Sequence, residues 1–265
     1  VHPERVEKWA KRLLLAEQDR SPIPPLTEQE PGVTVEEAYQ IQLALIHRKL
    51  AAGDGIVGHK IGLTSRPMQE MMGVREPDYG HLLKSMQYPS GVPVKHPLLQ
   101  PRVEAEIAFV LKKELKGPGL GLHDVLQATE YVVPAIEIVD SRIENWRIRL
   151  PDTVADNASS GCFVLGNRPT RVTDAGLERV GMVLYENGEM VQTGTGAAVL
   201  GHPAIGVAWL ANKLAEFGTI LQPGHVVLSG AISAAVTVKA GAWYTASFGR
   251  LGFVDTQVLT REAAE

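Results

Sequence analysis

The sequence predicts an α+β fold, rich in β-strand, with a helical lobe over residues 1–55 and one β-rich body over 56–265. Three observations predict it. Apolar residues recur at helical spacing mainly near the N-terminus. After Gly55 the chain breaks into short β-branched runs bounded by glycine or proline. Those runs and the few later helices do not alternate in a regular βαβ rhythm, which argues against a doubly wound parallel sheet.

Residues 5–19 place Val6, Trp9, Leu13 and Ala16 on one face of a helix. Four prolines in 21–32 (Pro22, Pro24, Pro25, Pro31) predict an extended strap without helix. Thr34 and Glu37 have capping-box spacing and open a second helix, with Val35, Ala38, Ile41 and Leu45 as its buried stripe and Gly53 as its stop. Strands are expected at 56–63, 104–111, 131–139, 162–166, 182–191 and 225–231, and Asn187-Gly188 makes the fifth of these a hairpin. Further helices are expected at 122–130 and 203–217, the second with Pro203 in its first turn and Gly218 at its end.

A chain of 265 residues can bury a sizeable core without disulfides. Its formal net charge of −4 gives no pull toward nucleic acid, and no nucleic-acid partner is expected. Cys162 is the only cysteine, so no intrachain disulfide forms, and its apolar strand makes it inert core. No apolar run reaches the roughly 18–20 residues of a membrane helix. The first twenty residues lack a signal-peptide core. A cytoplasmic protein with no membrane partner is the expectation.

Candidate chemistry lies in carboxylates. Strand periodicity puts Glu104 and Glu106 on one face, followed there by Ala108 and Val110, so two like charges sit at the mouth of a core strand. Glu137 lies inside VVPAIEIV (132–139), an apolar run too continuous for a strand with one wet face. A glutamate there is paired, protonated or bound to a metal. Three oxygen ligands suit Mg²⁺ or Mn²⁺; an ion pair with Arg102 or Arg142 is the equal alternative. Lys60, in GHKIGLTS (58–65), either reaches the interior to hold an enolate or shuttle a proton, or snorkels at a strand end. Asp156-Asn-Ala-Ser-Ser160 either caps a turn or offers hydroxyls to a ligand. His59 and His202 read as satisfied structural histidines, and Gly117-Pro-Gly-Leu-Gly121 lacks the context of a dinucleotide loop.

Seven segments in order resemble one family: GHKIGLTS (58–65), EPDYGHLL (76–83), RVEAEIAFVL (102–111), PAIEIVDSRIENW (134–146), DTVADNASSG (152–161), GAAVLGHP (196–203) and LSGAISAAV (228–236). They are similar to the hydratase/decarboxylase branch of the fumarylacetoacetate hydrolase superfamily, from about Pro22 to about Val258. The resemblance implies a mixed β-sandwich roll with peripheral helices. It also implies a homo-oligomer, alone or in complex with a pathway decarboxylase or hydratase. It places Mg²⁺ or Mn²⁺ ligands on Glu104, Glu106 and Glu137, which favours metal over ion pair. The family's active-site lysine falls on Lys60 and a substrate-contacting serine on Ser159; Thr64, Asn157 and Gly230, in matching segments, are expected at the substrate too.

The implied reaction is hydration of 2-hydroxypenta-2,4-dienoate to 4-hydroxy-2-oxopentanoate in aromatic meta-cleavage catabolism, with Asp78 handling the water. Decarboxylation of 4-oxalocrotonate is the alternative, and a non-catalytic partner subunit a third reading. Asp78 favours the hydratases, which have an acid in that segment. Asp140-Ser-Arg and Gly230-Ala-Ile-Ser-Ala-Ala-Val resemble the decarboxylases as closely. The chain lacks the insertion after Glu144 that hydratases of seven-carbon dioic acids carry.

Overall fold

The computed structural model describes residues 2–259. The N-terminal helices are α1 (Pro3–Gln18), α2 (Leu26–Gln29) and α3 (Val35–Ala51). α1 buries Val6, Trp9, Leu13 and Ala16 as its periodicity requires, and packs along α3. The single turn α2 corrects the expectation of a helix-free strap. Three of the four prolines precede it, Pro25 standing at its N-cap, and Pro31 follows it; proline obstructs a helix interior, not its start. Thr34 Oγ1 accepts from Glu37 N at 3.2 Å, but the Glu37 carboxylate turns away to Arg5 Nε at 2.9 Å. The capping box is therefore half made, and its other half joins α3 to α1.

The body begins with β1 (Ile56–Gly62), α4 (Arg66–Met72), β2 (Asp78–Leu83) and β3 (Gln87–Pro89). Next come β4 (Arg102–Leu111), α5 (Leu122–Ala128), β5 (Thr129–Val139), α6 (Leu150–Ala155), β6 (Ser160–Leu165) and α7 (Val172–Ala175). The chain continues through β7 (Gly181–Glu186), β8 (Glu189–Thr195), α8 (Pro203–Ala215), β9 (Val226–Leu228), β10 (Val236–Thr237), β11 (Trp243–Ser247) and β12 (Phe253–Gln257). Two sheets result. One, of eight strands, runs β2-β1-β9-β4-β5-β6-β3 with β10 also on β4; the other runs β12-β11-β7-β8. The fold is mixed α and β, with the predicted Asn187-Gly188 turn between β7 and β8, both residues at positive φ.

The long antiparallel pair β4·β5 is the centre of the larger sheet, and its inner residues (Val103, Ala105, Ile107, Phe109, Ile136, Ile138) are wholly buried. β9 and β10 share one edge of β4, pairing with Ala108–Val110 and with Arg102–Val103 respectively. The seven residues 229–235 between them face only the four β4 residues 104–107. They must bulge out of the sheet, and the bulge forms one wall of a cavity. Gln42, buried in α3, donates from Nε2 to Tyr79 O at 3.0 Å and to Val154 O at 2.8 Å, which binds the helical lobe to β2 and α6.

Candidate active site

A cavity of about 850 Å³ opens beside β4, walled by α4, the 229–235 bulge and the segments around Trp146 and Ser159. β4 and β5 pair with Glu104 directly opposite Glu137, so the two side chains share a sheet face, and Glu106 follows two residues along. One carboxylate oxygen from each of Glu104, Glu106 and Glu137 lies within 4.8 Å of the others. Glu106 and Glu137 are 0% and 1% exposed, while Glu104 is half-buried and lines the cavity. Gly230 N–H donates to Glu106 Oε2 at 2.7 Å, leaving Oε1 without a partner. Both Glu137 oxygens lack an aligned hydrogen bond.

Lys60 reaches this cluster from β1 and is 3% exposed. Its Nζ stands 3.1 Å from Glu137 Oε1 as an ion pair. Neither arginine named from sequence plays that part. Arg142 is occupied by Asp156 (Nε to Oδ1, 2.5 Å), and Arg102 stacks on Trp146, its Cζ 4.3 Å from the ring centroid. Asp78, at the start of β2, completes the group. It is 3% exposed, lines the cavity with Lys60, and its Oδ1 has no partner. The position opposite it, Gly62, admits no side chain: a Cβ there would lie 2.2 Å from Asp78 Oδ1.

Four carboxylates thus surround one ammonium. Burial pushes the Glu104 carboxyl up, to about 7, with Glu137 and Asp78 adding to the rise and Lys60 opposing it. Burial and then the Glu137 and Glu104 charges push Glu106 well above its ordinary value. Asp78 rises through burial, against the attraction of Lys60. Burial by itself would lower the Lys60 pKa, but Glu137, Asp78, Glu104 and Glu106 together outweigh it and hold it raised. The unpartnered buried oxygens and surplus negative charge fit a divalent cation, and an all-oxygen donor set without histidine or cysteine fits Mg²⁺ or Mn²⁺.

The remaining expected residues divide. Thr64 and Ser159 line the cavity. Ser159 Oγ lies 3.2 Å from Thr153 Oγ1, and Asn157, Ala158 and Ser159 all hold positive φ in a left-handed turn. Asn157 is outside the lining. Its carboxamide is engaged by β2, accepting from His81 N at 2.7 Å and donating to His81 O at 2.9 Å. It holds the turn against β2. Gly230 is likewise outside the lining; it serves through its N–H on Glu106, at φ +116 with Thr64 Oγ1 2.3 Å from where a Cβ would stand.

Sequence reasoning did not single out Trp146, Thr153, Met68 or Met71, all of them on the cavity wall. It weighed Arg102 only as a partner for Glu137. Strand periodicity does place Arg102 on the face of Glu104 and Glu106, which was a usable signal. His202 is satisfied as expected, Nδ1 accepting from Ala204 N at 3.1 Å. His59 is not: it is 1% exposed and neither ring nitrogen has a partner among the described residues, because its neighbours are the rings of Tyr79, His81 and His225. Cys162 is buried core as expected.

Comparison with known proteins adds independent findings. The chain is 48% identical over 215 residues to a 2-hydroxypent-2,4-dienoate hydratase of Pseudomonas putida, covering 80% of this chain and 97% of that protein. It is 46% identical over 239 residues to a 2-hydroxyhexa-2,4-dienoate hydratase of Comamonas testosteroni, covering 89% and 90%. Among solved structures, 4-oxalocrotonate decarboxylase from Pseudomonas putida G7, complexed with magnesium and adipate, matches with a TM-score of 0.94 at 41% identity, over 98% of this chain and 99% of that one. No described helix is long and apolar enough to cross a membrane. Residues 52–259 match the family model for the fumarylacetoacetate (FAA) hydrolase C-terminal domain, and the chain belongs to that family.

Proposed function

We propose that this chain is a divalent-metal-dependent lyase that hydrates 2-hydroxypenta-2,4-dienoate to 4-hydroxy-2-oxopentanoate. The observation that carries the reading is the buried Asp78 carboxyl beside Lys60, with an unpartnered Oδ1 on the cavity next to three converging glutamates. Glu104, Glu106 and Glu137 would hold Mg²⁺ or Mn²⁺, which when bound supplies the positive charge that polarises a 2-oxo acid. Lys60 stays protonated, since its pKa is raised. It therefore acts as a charge and a proton donor: Nζ–H faces the enolate and returns a proton to carbon. Asp78, made more basic by burial, accepts at Oδ1 the proton of the water that adds to C4. The Ser159 and Thr64 hydroxyls orient the substrate, and Ile232, Met68 and Met71 give the cavity an apolar wall.

Assembly as a homo-oligomer belongs to the same proposal. Decarboxylation of 4-oxalocrotonate is the second reading, favoured by the match to the decarboxylase structure. The test is purified protein with Mg²⁺ or Mn²⁺, offered the dienol and 4-oxalocrotonate in parallel. Loss of dienol absorbance with formation of 4-hydroxy-2-oxopentanoate supports hydration. An unchanged dienol beside CO₂ release from 4-oxalocrotonate overturns it in favour of the second reading.

A further inference from the structure

Gln42 is 0% exposed and stands outside the cavity, yet every polar atom of its side chain is used. Nε2 donates to Tyr79 O at 3.0 Å and to Val154 O at 2.8 Å, and Oε1 lies 3.1 Å from His81 Nδ1. With both amide protons spent on carbonyls, Oε1 only accepts, so His81 carries its proton on Nδ1. Tyr79 is the neighbour of Asp78 in β2, and Val154 is the neighbour of Thr153 in α6.

β2 and α6 are joined a second time. Asn157 holds the His81 backbone, accepting from its N at 2.7 Å and donating to its O at 2.9 Å. Ser159, two residues on, has Oγ 3.2 Å from Thr153 Oγ1. The bonds close a circuit that runs from Gln42 through β2, the 157–159 turn and α6 back to Gln42. β2 and the turn touch closely within it: a Cβ on Gly80 would lie 2.4 Å from Asn157 O. Asp78 stands on one member of the circuit and Ser159 on another, and both line the cavity. Holding Asp78 fixed relative to Ser159 fixes where an attacking water stands relative to a substrate oriented by the Ser159 hydroxyl. We infer that Gln42 is a positioning residue for the hydration step, setting the separation of Asp78 and Ser159 through β2 and α6 without touching substrate. The inference rests on the reading of the chain as a hydratase that uses these two groups.

The experiment offers 2-hydroxypenta-2,4-dienoate, with Mg²⁺, to the wild type and to Gln42→Met, and measures ketonisation and hydration of the dienol separately. Both rates scale with the amount of folded enzyme, so a loss of stability alone leaves their ratio unchanged. Hydration alone calls on Asp78. In Gln42→Met the ratio of hydration to ketonisation is expected to fall by about 10- to 100-fold, in keeping with a displacement of about 1 Å at a reacting group. The fall should lie in kcat, with KM near the wild-type value. Gln42→Glu keeps the acceptor for His81 but loses both donations; its ratio should fall too, and it is read alone should Gln42→Met not fold. Asn157→Asp loses the donation to His81 O and opens the circuit at its other joint. It should lower the ratio as well, and adding it to the Gln42 variant should lower the ratio little further, because the two act through one circuit. A wild-type ratio in the folded Gln42 variant overturns the inference, whatever its melting temperature. So does a ratio that Asn157→Asp leaves unchanged, or one that the two substitutions lower independently. A folded, metal-loaded wild type that does not hydrate the dienol overturns the hydratase reading itself and this inference with it.

Discussion

The Lys60 ammonium stands 3.1 Å from Glu137 Oε1, so one of three clustered glutamates already has a cation of its own. The choice between metal and ion pair is therefore no choice at this site. The pair neutralises one negative charge, and Glu104, Glu106 and Asp78 remain around it.

Lys60→Met removes that internal cation. The metal-free variant is expected to lose about 3–5 kcal/mol, the usual consequence of stripping one partner from a buried pair. Mg²⁺ should then raise the melting temperature more in the variant than in the wild type, because the metal becomes the sole counter-charge. Melts in EDTA and in Mg²⁺ measure it. A smaller metal effect in the variant would mean that Lys60 assists metal binding.

Glu106→Gln relieves repulsion while deleting a ligand. The metal-free variant should be as stable as the wild type or slightly more so, yet gain much less from Mg²⁺ and lose turnover. At a hundredfold excess over its dissociation constant, the metal should add ~2.7 kcal/mol to the wild type. Identical wild-type melts in EDTA and saturating Mg²⁺ count against a metal at these glutamates.

The metal increment should also depend on pH in a known direction. Glu104 ionises at about 7 in the fold against an ordinary 4.5, so the folded state holds its proton more tightly. Its contribution to stability is fully present below pH 4.5 and is lost as pH rises through 7. A cation replaces that proton, so the difference in melting temperature between Mg²⁺ and EDTA should grow from pH 5.5 to 8. Glu106, raised further, extends the same trend upward. A flat difference across this range would argue that the metal sits elsewhere.

Asp78→Asn keeps shape and burial but removes the base. Hydration should fall by about 10²–10⁴-fold, while metal binding and ketonisation of the dienol persist. Separate assays of ketonisation and of 4-hydroxy-2-oxopentanoate divide the two steps. Near wild-type hydration would relieve Asp78 of the water.

His59 makes an acid-lability prediction. Burial first, then His81 and His225, hold its pKa well below 6.5. His81 is lowered, to about 4, chiefly by burial. Both rings stay neutral in the fold but protonate in the unfolded chain, so their contribution is lost as pH falls below 6.5. His59→Phe should be more stable than wild type at pH 5 by on the order of 1 kcal/mol, with less gain at pH 7.5. Urea titrations at the two pH values test it, and an equal change at both would point to packing alone.

Much of this architecture was legible in the sequence where pattern is strong. The helical stripe of α1, the alternation of Glu104 and Glu106, and the Asn187-Gly188 turn are local signals, and the structure follows them. β2 was not legible. Its six residues, DYGHLL, are all buried, and a strand wet on neither face shows no alternation. β11 and β12 went unread as well, lying close together near the C-terminus with charged and glycine residues between apolar ones. The Lys60 partnership was illegible for another reason. β1 meets β4 only through β9, a strand more than a hundred residues downstream, and no local spacing encodes that neighbour.

α4 has no buried residue, yet Pro67, Met68, Met71 and Met72 from it roof the cavity. It hangs in the connection between β1 and β2, whose ladder sets Gly62 opposite Asp78 and Lys60 opposite Gly80. The roof is thereby mechanically separate from the reacting groups beneath it. Its sequence, and even its length, can drift without displacing Lys60 or Asp78. Directed evolution toward bulkier side groups on the substrate would do best to randomise residues 66–72, where diversity is cheapest for the fold and nearest to the guest.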